Sequence, residues 1–308
     1  MPTETMPTES ANQRVPMDDV PTSLLALGEP QPVTVTNEGG RSPFLIVADH
    51  AGNYLPRRLQ KLGLGQAELE RHIAWDIGVG AVCRLLGDAL GAVVISQNYS
   101  RLAIDCNRMP GSETSIVETS ERTTVPGNIG LSKAQAEARF REIFQPYHDA
   151  IAGELDRRRH AGQPTALIAM HSFTPVFMGI ARPWQVGVLY NRDPRFAHIL
   201  MDLLRGEPRD GPKGGPKGGP SLAVGDNEPY TVTDATDYTI PIHGERRNLH
   251  HVAIEIRQDL IADEAGQRRW ADLLARLLPQ AYQRVAAIPQ AGNELAPTKE
   301  MLRSAEPR

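Results

Sequence analysis

Apolar residues follow two rhythms along this chain. Five short runs are apolar at almost every position: Phe44-Leu45-Ile46-Val47-Ala48, Ala92-Val93-Val94-Ile95, Ala166-Leu167-Ile168-Ala169-Met170, Val186-Gly187-Val188-Leu189 and Val252-Ala253-Ile254. Runs of this length with no polar face fit strands buried on both sides. Between them, apolar residues recur every third or fourth position, which predicts helices over 68–90, 132–160 and 263–287. Gly78 and Gly80 are placed to interrupt the first helix, Pro146 to kink or divide the second and Pro279 to kink the third. Ser132-Lys133-Ala134-Gln135 has the form of a capping box at the start of the second. Strands alternating with helices predict an α/β fold with a mostly parallel central sheet and helices on both faces.

The pattern lapses in three places. Residues 1–24 are rich in Pro, Thr, Glu and Ser and read as a disordered N-terminal tail, and 291–308 read as a C-terminal tail. Residues 211–220, GPKGGPKGGP, read as a flexible loop, either an inert insertion or a lid beside a cleft. The residues suited to chemistry are spread from 44 to 257, so one domain over 25–290 is expected.

Charge and cysteine content narrow the function classes. A net charge of -4 and a pI of ≈ 6.2 give no reason to expect a nucleic-acid or anionic-membrane partner. No apolar run approaches the ~20 residues that span a bilayer, and the opening Met1-Pro2-Thr3-Glu4-Thr5 lacks the basic and apolar regions of a secretory signal. Cys83 and Cys106 offer no CxxC spacing and no disulfide framework, which suits packing roles in a reducing cytoplasm.

The candidate chemistry sits where the apolar runs end. In open α/β sheets, ligands bind outside the carboxyl ends of the strands, so His50, the segment 100–108, His171, Asn191-Arg192 and Glu255 are expected to converge on one crevice. Two strand-end histidines point to a metal, because neutral imidazole is a good zinc ligand and a catalytic zinc commonly takes three protein ligands. Asp76 interrupts an otherwise apolar stretch and is either the third ligand or a cap at a helix break. His72, one turn before it, is either a supporting partner or a surface residue. Glu255 lies within a buried run, where an ionised carboxylate is costly unless paired or useful. It is either a general base acting on water or one half of a structural ion pair.

The segments Val47-Ala48-Asp49-His50-Ala51-Gly52-Asn53, His72-Ile73-Ala74-Trp75-Asp76, Ser100-Arg101-Leu102-Ala103-Ile104-Asp105-Cys106-Asn107-Arg108, His171-Ser172-Phe173 and Ile254-Glu255-Ile256-Arg257-Gln258-Asp259-Leu260 together resemble the N-formylglutamate amidohydrolase family, over roughly residues 40–285. The resemblance implies a phosphorylase/hydrolase-like α/β fold and a zinc-dependent hydrolase, distantly similar to zinc carboxypeptidases and aspartoacylase. Those relatives bind metal through an HxxE motif and a later histidine, and use a catalytic glutamate. Here Asn53 occupies the position of the HxxE glutamate, so Asp76 is taken as the acidic ligand beside His50 and His171. Aspartoacylase-like enzymes also use an arginine and a DLNR segment, which Arg101 and Asp105-Cys106-Asn107-Arg108 resemble. The resemblance therefore implies that Glu255 and Arg101 act in catalysis and that Asn107 and Arg108 hold a substrate carboxylate, although a surface salt bridge also explains Arg108. Arg257 is a further candidate for binding substrate. Tyr230 and His243 lie in polar loops and are either substrate contacts or loop structure.

The expected activity is hydrolysis of an N-acyl amino acid, N-formyl-L-glutamate above all, with one zinc ion as cofactor, a small-molecule substrate as partner and no nucleic-acid or membrane partner. Two other readings stay open. One is a serine hydrolase using Ser172 or Ser100, although the chain has no GxSxG elbow. The other is a metal-free ligand-binding relative, favoured by the absent HxxE.

Overall fold

The computed structural model describes residues 23–208 and 221–288. The expected tails, apart from Ser23 and Leu24, and the loop 211–220 lie outside these residues. Ser23 and Leu24 close the expected N-terminal tail, and here they are anchored. The Leu24 and Leu25 amides and the Ser23 hydroxyl all donate to the Glu142 carboxylate.

A 7-stranded sheet forms the centre. We label its strands β1 (Val33–Thr36), β2 (Phe44–Ala48), β3 (Val93–Gln97), β4 (Ala166–Phe173), β5 (Val186–Leu189), β6 (Val224–Asp226) and β7 (His250–Arg257). Their order across the sheet is β1-β3-β2-β4-β7-β5-β6. The four strands β3, β2, β4 and β7 are mutually parallel. β1 joins β3 antiparallel, and β5 joins β7 antiparallel, with β6 parallel to β5. All of β2, β4 and β5 is buried, as continuous apolar runs require.

Strand alternation feeds two apolar layers. Ile46, Ile168, Ile254 and Ile256 pack against the helices α1 (Val79–Leu90), α4 (Arg195–Arg205) and α5 (Glu264–Ala286). Leu45, Val47, Ala169 and Ala253 face the other way, toward Ile143, Tyr147 and Ile151 on the arm formed by α2 (Lys133–Arg139), a π-helical turn (Phe140–Phe144) and α3 (Gln145–His160). Helices thus cover both faces.

The predicted helices are modified where glycine and proline stand. The stretch expected as one helix over 68–90 is helical only at Gln66–Leu69 and again in α1; turns occupy 70–78 and close at Gly78, whose φ of +83° belongs to the left-handed region. Ser132 caps α2 with the expected box, accepting from the Gln135 amide. Pro146 does not end the arm. It sits in the first turn of α3, where its missing N–H is tolerated, and the π turn precedes it. α5 continues through Pro279.

One expectation about the crevice is overturned. β5 runs antiparallel to β7, with Ala253 opposite Leu189 and Ile256 opposite Val186, so its carboxyl end points away from the ends of β4 and β7. Asn191 and Arg192 instead bind Asp234 and Glu245 at the opposite edge of the sheet. A buried apolar run carries no mark of its direction. No helix of the described residues is long and apolar enough to cross a membrane.

Candidate active site

Sheet register sets the spacing of the site. Glu255 stands opposite His171 on neighbouring parallel strands. Val47 stands opposite Ala169, so continuing the register by two residues brings Asp49 beside His171. These side chains leave the sheet on the side of α3. There the segments around 101–108 and 230–240 close a cavity of about 410 Å³.

At one wall of this cavity the ligand atoms of His50, Asp76 and His171 all lie within 4.8 Å of one another, and all three residues are buried. Two glycines permit this. A Cβ on Gly52 would lie 2.0 Å from the Asn98 carbonyl oxygen, so only glycine lets the chain after His50 pass the end of β3. A Cβ on Gly78 would meet the Ile261 carbonyl oxygen at 2.2 Å, and the turn it ends holds Asp76, whose amide donates to the His50 carbonyl at 2.9 Å.

Both imidazoles are oriented from behind. His50 Nε2 lies 2.7 Å from Asp105 Oδ1, and His171 Nε2 lies 3.3 Å from Asp49 Oδ2. Their Nδ1 atoms turn inward, 3.4 Å and 3.0 Å from Asp76 Oδ2. His50 Nδ1 is buried with no hydrogen-bond partner. An imidazole backed by a carboxylate through one nitrogen, with the other left for a ligand, is the arrangement of metal-binding histidines. Two nitrogens and a carboxylate oxygen also suit a zinc-like cation. The residues present therefore fit a metal ion.

The charges reinforce this. Burial opposes ionisation of Asp49, but the hydrogen bond and charge of His171 outweigh it and hold the carboxyl at about 2. Asp76 is likewise held low against its burial by His50 and His171, and Asp105 against its burial by Arg101 and His50. Glu255 differs. Burial, with repulsion from Asp76, outweighs the attraction of His171, His50 and Arg101 and pushes its carboxyl up to about 7. Its Oε2 is buried without a hydrogen-bond partner. A carboxyl poised near neutrality with a free oxygen can accept and return a proton. Arg101 donates through Nε and Nη2 to Asp105 Oδ2 at 3.0 and 2.6 Å, and its Nη1 is 3.6 Å from Asp76 Oδ1.

The outer carboxylates make a test of the metal site. Asp105→Asn keeps the shape behind His50 but removes the charge that orients its ring. Metal affinity is expected to fall about 10–100-fold, read by competition with a chromophoric chelator.

A sequence profile of the N-formylglutamate amidohydrolase family matches residues 42–262. The chain belongs to this family. The crystal structure of a gene product from Agrobacterium tumefaciens superposes on the amidohydrolase with a TM-score of 0.78 and 33% identity, covering 85% of this chain and 99% of that one. That of N-formylglutamate amidohydrolase from Ralstonia eutropha superposes with a TM-score of 0.55 and 18% identity, covering 82% and 99%, and shares the fold. A comparison with curated proteins finds no match.

Of the remaining candidates in the amidohydrolase, Arg101, Asn107, Arg108 and Tyr230 line the cavity with the metal-type cluster and Glu255. Asn107 Oδ1 accepts the Tyr238 and Thr239 amides at 3.0 Å each, while its Nδ2 donates to Asp237 at 3.1 Å. Arg108 is bound loosely, donating to the Asn107 carbonyl at 3.0 Å and lying 4.0 Å from Asp237. His72 stands in the wall beside Glu121, 3.2 Å away, and not beside Asp76.

Two candidates are not brought to the cavity lining. His243 stacks on His148, with Nε2 2.9 Å from His148 Nδ1, and burial pushes its imidazole down to about 3. Arg257 grips Asp259 and reaches back to the Arg182 and Trp184 carbonyls. The serines also have other partners. Ser172 donates its hydroxyl proton to the Ile77 carbonyl and Ser100 to the Ala74 carbonyl, so neither is paired with a base. Both cysteines are free and buried.

Sequence reasoning gave no individual role to Asp49, Asp105, which entered only as the head of the DLNR-like segment, or Thr239, whose hydroxyl donates to Asp49 at 2.7 Å. The first two lie inside the segments that carry the family resemblance. The need of every metal-bound imidazole for an outer partner was the available signal.

Proposed function

We propose that this amidohydrolase hydrolyses N-formyl-L-glutamate to formate and L-glutamate, using one zinc ion held by His50, Asp76 and His171. The observation that carries this reading is the pairing of two free buried atoms, His50 Nδ1 and Glu255 Oε2, within one cavity wall. A divalent ion in such a site acidifies water and polarises a carbonyl. Glu255 takes a proton from the attacking water at Oε2 while the water oxygen adds to the formyl carbon. As the C–N bond breaks, Glu255 returns that proton to the leaving nitrogen. Arg101, fixed by Asp105, presents its positive charge to the oxygen on which negative charge develops. Arg108 grips a substrate carboxylate, with Tyr230 and the second Nδ2 proton of Asn107 as further donors. Asp49 and Asp105 keep the two imidazoles in register throughout. The setting is amino-acid degradation, histidine catabolism in particular, in the cytoplasm.

The test is metal analysis of purified protein followed by a screen of N-formyl-, N-acetyl- and N-succinyl-amino acids. One equivalent of zinc, formate release from N-formylglutamate, and loss of that activity with chelator followed by recovery with zinc support the reading. Turnover that survives complete metal removal overturns it. A narrower expectation concerns Arg108. Lysine keeps the charge but loses the planar two-pronged grip, so kcat/KM for N-formylglutamate should fall about tenfold or more in Arg108→Lys. Unchanged kcat/KM in that variant would release Arg108 from this role.

A further inference from the structure

The carboxylates behind the two imidazoles are held unequally. Asp105 Oδ2 accepts twice from Arg101, and its Oδ1 accepts from the Asn107 amide at 2.9 Å while meeting His50 Nε2 at 2.7 Å. Asp49 is also buried, and its short contact is the Thr239 hydroxyl, which donates to Oδ1 at 2.7 Å. The other oxygen, Oδ2, lies 3.3 Å from His171 Nε2. A carboxylate turns readily about its Cβ–Cγ bond, so a single short hydrogen bond decides which way Asp49 faces.

Thr239 is itself tied to the segment that carries Asp105. It stands just before a π-helical turn (Ile240–Glu245). Its amide and that of Tyr238 each donate to Asn107 Oδ1 at 3.0 Å, two residues beyond Asp105. A second tie runs alongside the first. His148, on α3, meets the Cys106 carbonyl through Nε2 at 2.8 Å and His243 of the turn through Nδ1 at 2.9 Å. Burial lowers the two imidazoles to about 4 and about 3, so both are neutral near pH 7 and His148 can donate at one nitrogen while accepting at the other. Contacts therefore run unbroken from His50 through Asp105, Asn107, Thr239 and Asp49 to His171, and Asp76 lies between the two imidazoles.

We propose that Thr239 is a positioning residue for the metal centre: its hydroxyl fixes the Asp49 carboxylate to the segment that carries Asp105, and so holds the His171 imidazole against that of His50 at the spacing one ion requires. The inference rests on the metal site of the proposed function and adds to it a residue that acts through Asp49. The His148–His243 pair then has a place as the brace that keeps the turn and the segment 105–108 together. Buried polar networks of this kind rigidify when every link is made, and removing the Thr239 hydroxyl opens the ring at its least supported link.

The experiment measures zinc affinity, by competition with a chromophoric chelator, in wild type, Thr239→Val, Thr239→Ser, Asp49→Ala and the double variant Asp49→Ala, Thr239→Val. Valine keeps the shape of threonine without its hydroxyl, and serine keeps the hydroxyl. Thr239→Val should bind zinc about tenfold more weakly, the lower end of the range for losing an outer partner, and Thr239→Ser should stay close to wild type. The cobalt-loaded proteins should follow the same order, with the d–d absorption altered in Thr239→Val and restored in Thr239→Ser. Because Thr239 acts through Asp49, adding Thr239→Val to Asp49→Ala should weaken binding little further. A misfolded fraction lowers the zinc stoichiometry but not the affinity of the folded protein. If Thr239→Val does not fold, Thr239→Ala takes its place in each comparison. Unchanged affinity and spectrum in Thr239→Val, equal losses in the valine and serine variants, or the same tenfold loss in the Asp49→Ala background would overturn the proposal. No substrate is needed, so a wild type that binds zinc without cleaving N-formylglutamate sinks the proposed substrate and leaves this test in force. A wild type that takes up no zinc overturns both.

Discussion

Glu255→Gln is expected to lower kcat by about 10²-fold or more, the scale of lost general acid–base catalysis, while zinc content and substrate affinity stay close to wild type. Glutamine has the shape of glutamate but cannot accept a proton, and the described carboxylates around the two imidazoles are already engaged. Asp49 and Asp105 are occupied by His171 and His50, and Asp76 lies between the two imidazoles. The substitution should not harm the fold. A carboxyl whose folded pKa stands above its unfolded value costs stability once the pH exceeds the unfolded value, and Glu255 is raised from 4.5 to about 7 mainly by burial. Replacing it with a neutral amide removes that cost near neutral pH, so the metal-free variant should melt no lower than metal-free wild type. Single-turnover formate release, zinc analysis and a thermal melt check the three parts together. Near-normal turnover in a zinc-loaded variant would make Glu255 a structural residue.

The parallel core of the site was legible because two sequence signals agree there. Apolar runs ending in His50, His171 and Glu255 form β2, β4 and β7, and strands buried on both faces in a parallel sheet must release those residues at one edge. Asp76 was legible through its odd place in an apolar stretch that Gly78 breaks. What stayed hidden depends on direction and on pairing across the sheet. β5 is as apolar as its neighbours yet runs the other way, which removes Asn191 and Arg192 from the cavity. His243 has the composition of a contact residue, but its loop turns it onto His148 in the interior. The roles of Asp49 and Asp105 rest on which imidazole each one meets. Asp49 adjoins His50 in sequence yet serves His171, because strand neighbours along the chain point to opposite faces while those across the sheet share one.

His50→Ala and His171→Ala should each lose the metal, and activity with it, because removing one imidazole leaves only two of three protein ligands and frees the carboxylate behind it. Loss in both histidine variants but retention in Asp76→Ala would keep the site and reject its acidic ligand, while full retention in both histidine variants would remove the metal site altogether. The same charges predict how wild-type metal binding responds to pH. Burial and Arg101 press the His50 pKa down, yet Asp105 and Asp76 outweigh them and leave it above 6.5. Burial acts likewise on His171, where Asp49 and Asp76 raise the pKa well above 6.5. In the metal-free protein both imidazoles therefore hold a proton beyond the pH at which free histidine releases it. A cation must displace those protons, since only the neutral ring is a ligand. Apparent zinc affinity should consequently rise with pH through the region above 6.5, in the direction set by the raised histidine values. Calorimetric titration in buffers of different ionisation enthalpy reads the protons released on binding. Proton release in wild type that is unchanged in His171→Ala, or an affinity flat across that range, would show that the ion does not bind between these two rings.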